Sequence, residues 1–457
     1  MSTSITAVVL AAGKGTRMKS SLPKVLHKVC GRPILEHILN ILNAAGAERI
    51  IVIAGYGAEQ VSALCRGRAE IALQTEQLGT GHAAMMASPL LKGYDGTTLI
   101  LPGDTPLLRA ATIDSLCRLQ REKGAGVAML SALLDDPGSY GRVVRGKGGE
   151  VKAIVETKDA SIEERKIKEI NAAVYAFDTE LLLNCLGRIG CDNAQREYYL
   201  TDVVAMLADE NRVEALITDD SNEVMGINDR LYLSQADKIM RSRILESWML
   251  EGITIIDPDS TFIEDSVSIG QDTVIHPFTI IEGETSIGRG CSIGPGAHLT
   301  NVRLGKDVRI RNSTVQDSDL DDSVVIGPYA YIRPGNRLAE GSKAGSFVEI
   351  KNSQIGKGSA VPHLSYIGDA SLGENVNIGA GTITCNYDGR EKHHTVVGDE
   401  AFIGSDTKLI APVTVGDGAV TGAGAVVNKD VPPWKVAVGM PARVIKTRDW
   451  GKGNNAG

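Results

Sequence analysis

Between Ile263 and Leu299 an aliphatic residue returns at every sixth position: Ile263, Ile269, Ile275, Ile281, Ile287, Ile293, Leu299. Glycine often follows it, as in Ile269-Gly270, Ile287-Gly288 and Ile293-Gly294. A period of six suits neither an amphipathic helix, which repeats near 3.6, nor a strand, which alternates at two. It suits a solenoid in which each hexad is one short strand and three hexads make a triangular coil. The aliphatic side chain then points inward, and small residues turn the corners. The phase slips after Leu299 and returns at Val397, Ile403, Leu409, Val415 and, after Thr421, Val427. Two stretches read as interruptions, "YAYIRPGNRLAEGSKAGSFVEIKNS" and "CNYDGREKHHTVV". Insertions of this kind project as loops.

The first half obeys other periods. From residue 5 to about 228, strand-like runs such as "ITAVVLAAG", "RIIVIAG" and "TTLILPGD" alternate with helical stretches such as "PILEHILNILNAAG". That alternation predicts a parallel α/β sheet whose ligands gather at the carboxyl ends of strands, where Gly13 and Asp104 fall. After Asn228, "DRLYLSQADKIMRSRILESWMLEG" reads as a helical arm. With 457 residues the chain exceeds one ordinary core. The expected organisation is an α/β domain over 1–228, a helical linker over 229–250, a solenoid over 251–445 and a flexible tail over 446–457.

Totals narrow the class. A net charge of −8 with interspersed signs argues against a nucleic-acid partner. Seven cysteines without metal or disulfide spacing fit a reducing cytosol. No apolar run approaches the roughly 18 residues that span a membrane, and the first residues lack a signal-peptide pattern. The expectation is a cytoplasmic protein without membrane or nucleic-acid partners.

The segment "VVLAAGKGTRMKSSLPK", Val8 to Lys24, carries the densest chemistry. It is not a P-loop, and Met18 stands where a dinucleotide fingerprint needs its third glycine. Backbone N–H groups near Gly13 and Gly15 can converge on a phosphate, and a following helix start would add its dipole. Arg17 and Lys24 can neutralise a polyphosphate. The bland alternative is a turn with solvated basic residues. Asp104 is either a turn residue or, beside this loop, a hard oxygen ligand for Mg²⁺. In the solenoid, His363 lies among small and aliphatic residues, three positions before Tyr366, and a lone histidine is as readily structural. Arg333 and Lys351 fall in the first interrupted stretch, as phosphate binding would require, and "NYDG" reads as a turn. His393 and His394 lack acidic or thiol ligands at metal spacing and read as a solvated loop.

These motifs carry a resemblance. "LAAGKGTRM…LPK" and "GDTPLL" resemble the sugar-1-phosphate nucleotidyltransferases. "QTEQLGTGHA" is closer still to the bacterial bifunctional N-acetylglucosamine-1-phosphate uridyltransferase and glucosamine-1-phosphate acetyltransferase family, over nearly the whole chain. The resemblance implies a Rossmann-like α/β nucleotidyltransferase domain, a helical arm and a left-handed parallel β-helix of hexapeptide repeats. It further implies a homotrimer whose acetyl sites lie at subunit boundaries. Leu10, Ala11, Ala12 and Gly13 would contact the nucleotide, Lys24 its phosphates, and Gln74, Gly79 and Thr80 the uracil. Asp104 and Asn228 would hold Mg²⁺, Asn228 also lying against the UDP-sugar, and Gly141, Glu156 and Asn171 would meet the sugar phosphate.

For the solenoid the resemblance implies acetyl transfer from acetyl-CoA to glucosamine-1-phosphate, and UTP is the co-substrate of the first domain. Arg333 and Lys351 would bind the sugar phosphate, with Tyr366, Asn377, Asn386 and Tyr387 around the substrate and His363 as general base. Ala380, Ser405 and Ala423 match acetyl-CoA positions. Two departures stand out: Met440 occupies the place of a coenzyme-contacting arginine, leaving Arg443 for that role, and Ala360 replaces a common lysine. The alternative is a monofunctional nucleotidyltransferase whose β-helix is a trimerising or regulatory scaffold. Such a scaffold has no reason to keep Arg333, Lys351, His363, Tyr366, Asn386 and Tyr387 together.

Overall fold

The computed structural model describes residues 4–210 and 212–448. The chain divides into two compact units, Met1–Met240 and Arg241–Gly457, and the division falls inside the helix Arg230–Leu250.

The first unit is built on the strand Ile5–Ala11, whose side chains are buried on both faces, as a near-continuous apolar run requires. It pairs in parallel with Thr97–Pro102 on one side and Arg49–Ala54 on the other. The sheet runs Val213–Ile217, Val127–Leu133, Glu169–Asp178, Thr97–Pro102, Ile5–Ala11, Arg49–Ala54, Glu70–Leu73. One strand departs from the parallel expectation. Glu169–Asp178 is antiparallel to both neighbours. It follows the hairpin Arg142–Arg145/Val151–Val155 rather than a crossover helix, so the chain returns without the helical connection that parallel pairing needs. Alternate residues of Ile5–Ala11 feed two cores: Ile5, Ala7, Val9 and Ala11 pack with Leu39, Leu101 and Leu116, and Val8 packs with Ile53, Ala84 and Val203.

In the second unit the hexads become three stacked ladders of short strands. One runs through Ile263, Ile281, Leu299, Val315, Ile332, Ile350 and Ile367. A second runs through Ile269, Ile287, Leu304, Leu320, Leu338, Ile355, Leu372, Val397 and Val415. A third begins at Ile255, Ile275, Ile293, Ile310 and Ile326. All these side chains are buried, each contributing about 1.5–3 kcal/mol of apolar transfer.

The first stretch read as an interruption is continuous with the repeat. Residues 329–353 do not project; they form ordinary coils, with Ile332, Leu338, Ala344 and Ile350 six apart and buried. The phase slip arises because coils shorten from 18 residues to 16 or 17 at Leu299–Val315, Val315–Ile332 and Ile350–Ile367. The second interruption is a true insertion, since Leu372 pairs with Val397, 25 residues on. The closing strand Arg443–Thr447 pairs antiparallel with Lys435–Val438, and residues 449–457 of the expected tail lie outside the described residues. Among the described residues no helix is long and apolar enough to cross a membrane.

Candidate active sites

A cavity of about 390 Å³ opens at the carboxyl ends of Ile5–Ala11 and Thr97–Pro102. Leu10, Ala11, Ala12, Gly13, Lys24, Gln74, Gly79, Thr80, Asp104, Glu156 and Asn171 line it, so eleven positions singled out in the sequence converge on one space. The glycine loop differs from expectation in one respect. It leads into a single turn, Thr16–Met18, and the first α-helix starts only at Ile34, so no helix dipole follows the loop directly. Met18 is 1% exposed, which gives the residue in the third-glycine place a role as an anchor. Gly15 has φ 59°, and a Cβ there would come within 2.8 Å of Lys24 Cβ. Only glycine lets the loop close over that lysine.

Lys24 ties the far wall together. Its Nζ is ion-paired with Asp104 and lies 3.4 Å from Asn228 Oδ1, which also accepts from Arg17 Nη2 at 2.8 Å. The Ile227 N–H donates to the Asp104 carbonyl at 2.9 Å, bringing the two segments together. Asp104 and Asn228 thus aim hard oxygens at one positive group, the environment a Mg²⁺ ion with phosphate ligands requires. Among the described residues no three His, Cys, Asp or Glu side chains form a metal cage, and a site completed by substrate needs none.

The end of the cavity lined by Glu156 is buried and acidic. Burial pushes the Glu156 carboxyl up, reinforced by Asp159, Asp202 and Glu197. Gly141 lies outside the cavity lining, but its carbonyl accepts the Asn171 N–H at 2.9 Å and its Cα faces Glu156. Sequence reasoning did not single out Gln77, Ala173, Tyr175, Glu197, Leu200 and Thr201, which also line the space. A register shift between Asn171 and Tyr175, with Ala173 at φ 57°, turns that strand toward the cavity. Asn171 Nδ2 donates to Tyr175 Oη at 2.7 Å. Gln77 was legible in "QTEQLGTGHA"; its Nε2 donates to the Ala12 carbonyl at 2.8 Å.

On the β-helix the residues assemble along the outside of successive coils. Arg333 and Lys351 stand one above the other, with the Arg333 N–H donating to the Ile350 carbonyl at 2.8 Å. Arg333 Nη1 donates to Glu349 Oε1 at 2.9 Å. Lys392, from the projecting loop, adds a third cation, and the neighbouring Lys351 lowers its pKa. Asp369 accepts from Asn352 Nδ2 at 2.7 Å and Asn386 Nδ2 at 2.5 Å. Burial alone would raise its pKa, but these bonds and the charges of Lys351 and Lys392 hold it low. Tyr366 has room for its ring because Gly368 has no side chain: a Cβ there would meet Tyr366 Oη. Glu349, Asp369 and Lys392 went unnoticed in the sequence.

His363 is exposed and ends the strand Ala360–His363, one corner before Tyr366. Asn377 lies on the next coil, opposite Ala360. Ala380, Ser405 and Ala423 then follow on successive coils, linked by Asp406 N–H to Ala380 O at 2.6 Å and Gly424 N–H to Ser405 O at 2.8 Å. Arg443 pairs with Val438 on the strand beyond them. Tyr387 is bridged to Lys392 at the base of the insertion, which folds around Asp388. His393 Nε2 bonds Asp388 Oδ2 at 2.7 Å and His394 Nε2 bonds Ser371 Oγ at 2.9 Å, so the two rings have separate partners.

A glycine loop closing over a lysine on a Rossmann-like sheet, joined to a hexapeptide β-helix, defines a nucleotidyltransferase fused to a hexapeptide acyltransferase. Residues 7–143 match the MobA-like NTP transferase domain, and residues 266–301 and 394–429 match the bacterial transferase hexapeptide family of six repeats. A protein named bifunctional protein GlmU from Heliobacterium modesticaldum is 51% identical over 448 residues, covering 98% of each chain. Proteins of the same name from Carboxydothermus hydrogenoformans and Pelotomaculum thermopropionicum are 48% and 53% identical. The first covers 96% of this chain and 98% of the relative, the second 90% of each. The chain belongs to the bifunctional GlmU family, with an amino-terminal nucleotidyltransferase domain and a carboxyl-terminal hexapeptide acetyltransferase domain.

Proposed function

We propose that the residues assembled above carry the two activities of this bifunctional enzyme in sequence. The β-helix transfers acetyl from acetyl-CoA to glucosamine-1-phosphate, and the α/β unit transfers uridylyl from UTP to the N-acetylglucosamine-1-phosphate so formed, making UDP-N-acetylglucosamine. The observation that carries the residue assignment is the convergence of Lys24, Asp104, Gln74, Glu156 and Asn171 on one cavity.

In that cavity the sugar's phosphate oxygen attacks the α-phosphorus of UTP in line. The new P–O bond forms as the bond to the bridging oxygen breaks, and pyrophosphate leaves. The nucleophile is already an anion, so positioning and charge neutralisation replace a strong base. Asp104 and Asn228 would hold Mg²⁺, which would supply charge neutralisation on the triphosphate. Lys24 and Arg17 bear on the same phosphates, Leu10 to Gly13 follow the nucleotide, and Gln74, Gly79 and Thr80 read the base. Gly141, Glu156 and Asn171 hold the sugar, where a carboxyl of raised pKa suits neutral hydroxyls.

On the β-helix, Arg333 and Lys351 bind the sugar phosphate, with Tyr366, Asn377, Asn386 and Tyr387 around the ring. His363 takes the proton of the amine as nitrogen attacks the thioester carbonyl. The C–N bond forms, the C–S bond breaks, and coenzyme A leaves as a thiolate that is then protonated. The small residues Ala380, Ser405 and Ala423 leave room for a thin coenzyme, and Arg443 serves its phosphate end. Exposed Tyr329, Phe347 and Leu364, on successive coils beside His363, support a homotrimer that covers them. The reading includes a cytoplasmic location.

The test follows pyrophosphate release from UTP and N-acetylglucosamine-1-phosphate. Release stops on chelation and returns with Mg²⁺; undiminished release in chelator contradicts the metal assignment. Light scattering checks the trimer.

A further inference from the structure

Gln74 is the side chain on which base recognition rests in the reading above, yet an amide can present either an oxygen or an N–H group to a base. Which one it presents decides whether uracil or cytosine is accepted. Uracil offers an N3–H donor between two carbonyls, whereas cytosine has a bare N3 acceptor beside an amino group.

The surroundings of Gln74 decide the matter. The side chain is buried and lines the cavity. Its Nε2 donates to the Gly79 carbonyl at 3.2 Å, and a carbonyl can only accept, so the end facing Gly79 is the nitrogen. The same Nε2 lies 3.1 Å from His82 Nδ1. Both N–H bonds of the amide are therefore consumed inside the protein, provided His82 Nδ1 carries no proton. The imidazole must then be the neutral tautomer protonated on Nε2. Gln74 Oε1 has no partner among the described residues, and it is the atom left to face a base. His82 is held where this works: it is the third residue of the helix Thr80–Leu91, whose start is pinned by the Gly81 N–H to Tyr198 O bond at 2.7 Å. Gly79, at φ 105°, has no space for a Cβ beside the Tyr198 carbonyl, which fixes the other anchor.

We propose that His82 is a specificity-positioning residue: its unprotonated Nδ1 locks the Gln74 amide so that Oε1 faces the nucleobase and selects an imide N3–H, excluding cytosine. The inference rests on the uridylyl-transfer reading. His82 acts through Gln74 and touches no reacting atom. A site whose buried polar atom is matched to one hydrogen-bonding pattern rejects the wrong pattern strongly, because the mismatched group stays unpaired.

Three substitutions separate this role from a packing role. Asn places its amide oxygen near the position of Nδ1, whereas Gln places its polar atoms near Nε2 and Leu supplies bulk alone. The ratio of kcat/KM for UTP over CTP is measured with N-acetylglucosamine-1-phosphate in the full-length enzyme. His82→Asn is expected to stay within about threefold of wild type, while His82→Gln and His82→Leu lose about tenfold or more of the ratio. A ratio unchanged in all three, or lost equally in His82→Asn and His82→Gln, overturns the inference. Should His82→Leu fail to fold, the Asn and Gln pair still decides it. A wild type that uses CTP as well as UTP, or neither, overturns instead the uridylyl-transfer reading.

Discussion

The cavity of the α/β unit is a recess walled by its own chain, whereas the residues assigned to acetyl transfer lie along an open surface. Lys24 and Asp104 keep only 15% and 17% of their side-chain surfaces exposed, while His363, Tyr387 and Arg443 are exposed outright. In the recess each group is held by its own bonds: Gln74 has two anchors, Asp104 and Asn228 share a cation, and Glu156 is desolvated. On the open surface the groups are held only by their alignment along successive coils. The same chain thus uses two ways of making a site, folding around the ligand and stacking residues along a ladder.

If the enclosure matters, the α/β site is the more sensitive to a single buried group. Asp104→Ala is expected to lower uridylyl transfer by about 10²–10³-fold and leave acetyl transfer unchanged. Pyrophosphate release against thiol release in one preparation measures both. Equal losses would mean that the two sites are not separable.

For the open site the expected losses are smaller and confined to binding. Arg333→Leu or Lys351→Leu should raise KM for glucosamine-1-phosphate by about ten- to a hundredfold, with KM for acetyl-CoA little changed. A loss shared equally between the two substrates would argue that these cations hold the coil together rather than the phosphate.

The smallest effect sharpens the contrast through stability. Burial raises the Glu156 pKa in the folded state, so the native protein holds this proton more tightly than the unfolded chain. The resulting cost is absent below the ordinary carboxylate value of about 4.3 and grows as pH rises through the raised one. Glu156→Gln is therefore expected to unfold at a higher temperature than wild type at pH 8, with the gain shrinking toward pH 4.5. A gain independent of pH would place its origin in packing.

The sequence made the two ends of the solenoid plain because the inward positions, Thr421 apart, were Ile, Leu or Val in strict phase. Its middle was hidden by corner residues dropped from two coils, which moved Ile332, Leu338, Ala344 and Ile350 out of phase with Leu299. In the α/β unit, the loop from Gly13 to Lys24 and the aspartate at Asp104 were legible because both end strands. Ala173 and Tyr175 were not, since a bulge turns them inward, and Lys392 reaches Lys351 only because an insertion folds back around Asp388. His82 stood within a motif already noticed, but only its 3.1 Å approach to Gln74 gives it a task.

The most direct measurement is acetyl-CoA-dependent loss of the free amine of glucosamine-1-phosphate in wild type and His363→Ala, with pyrophosphate release followed in the same preparations. Two independent sites on one chain predict that the substitution lowers acetylation by about 10²–10⁴-fold while uridylyl transfer matches wild type. No acetylation by the wild type, or a parallel loss of both reactions in His363→Ala, would contradict that account and leave the β-helix as a scaffold.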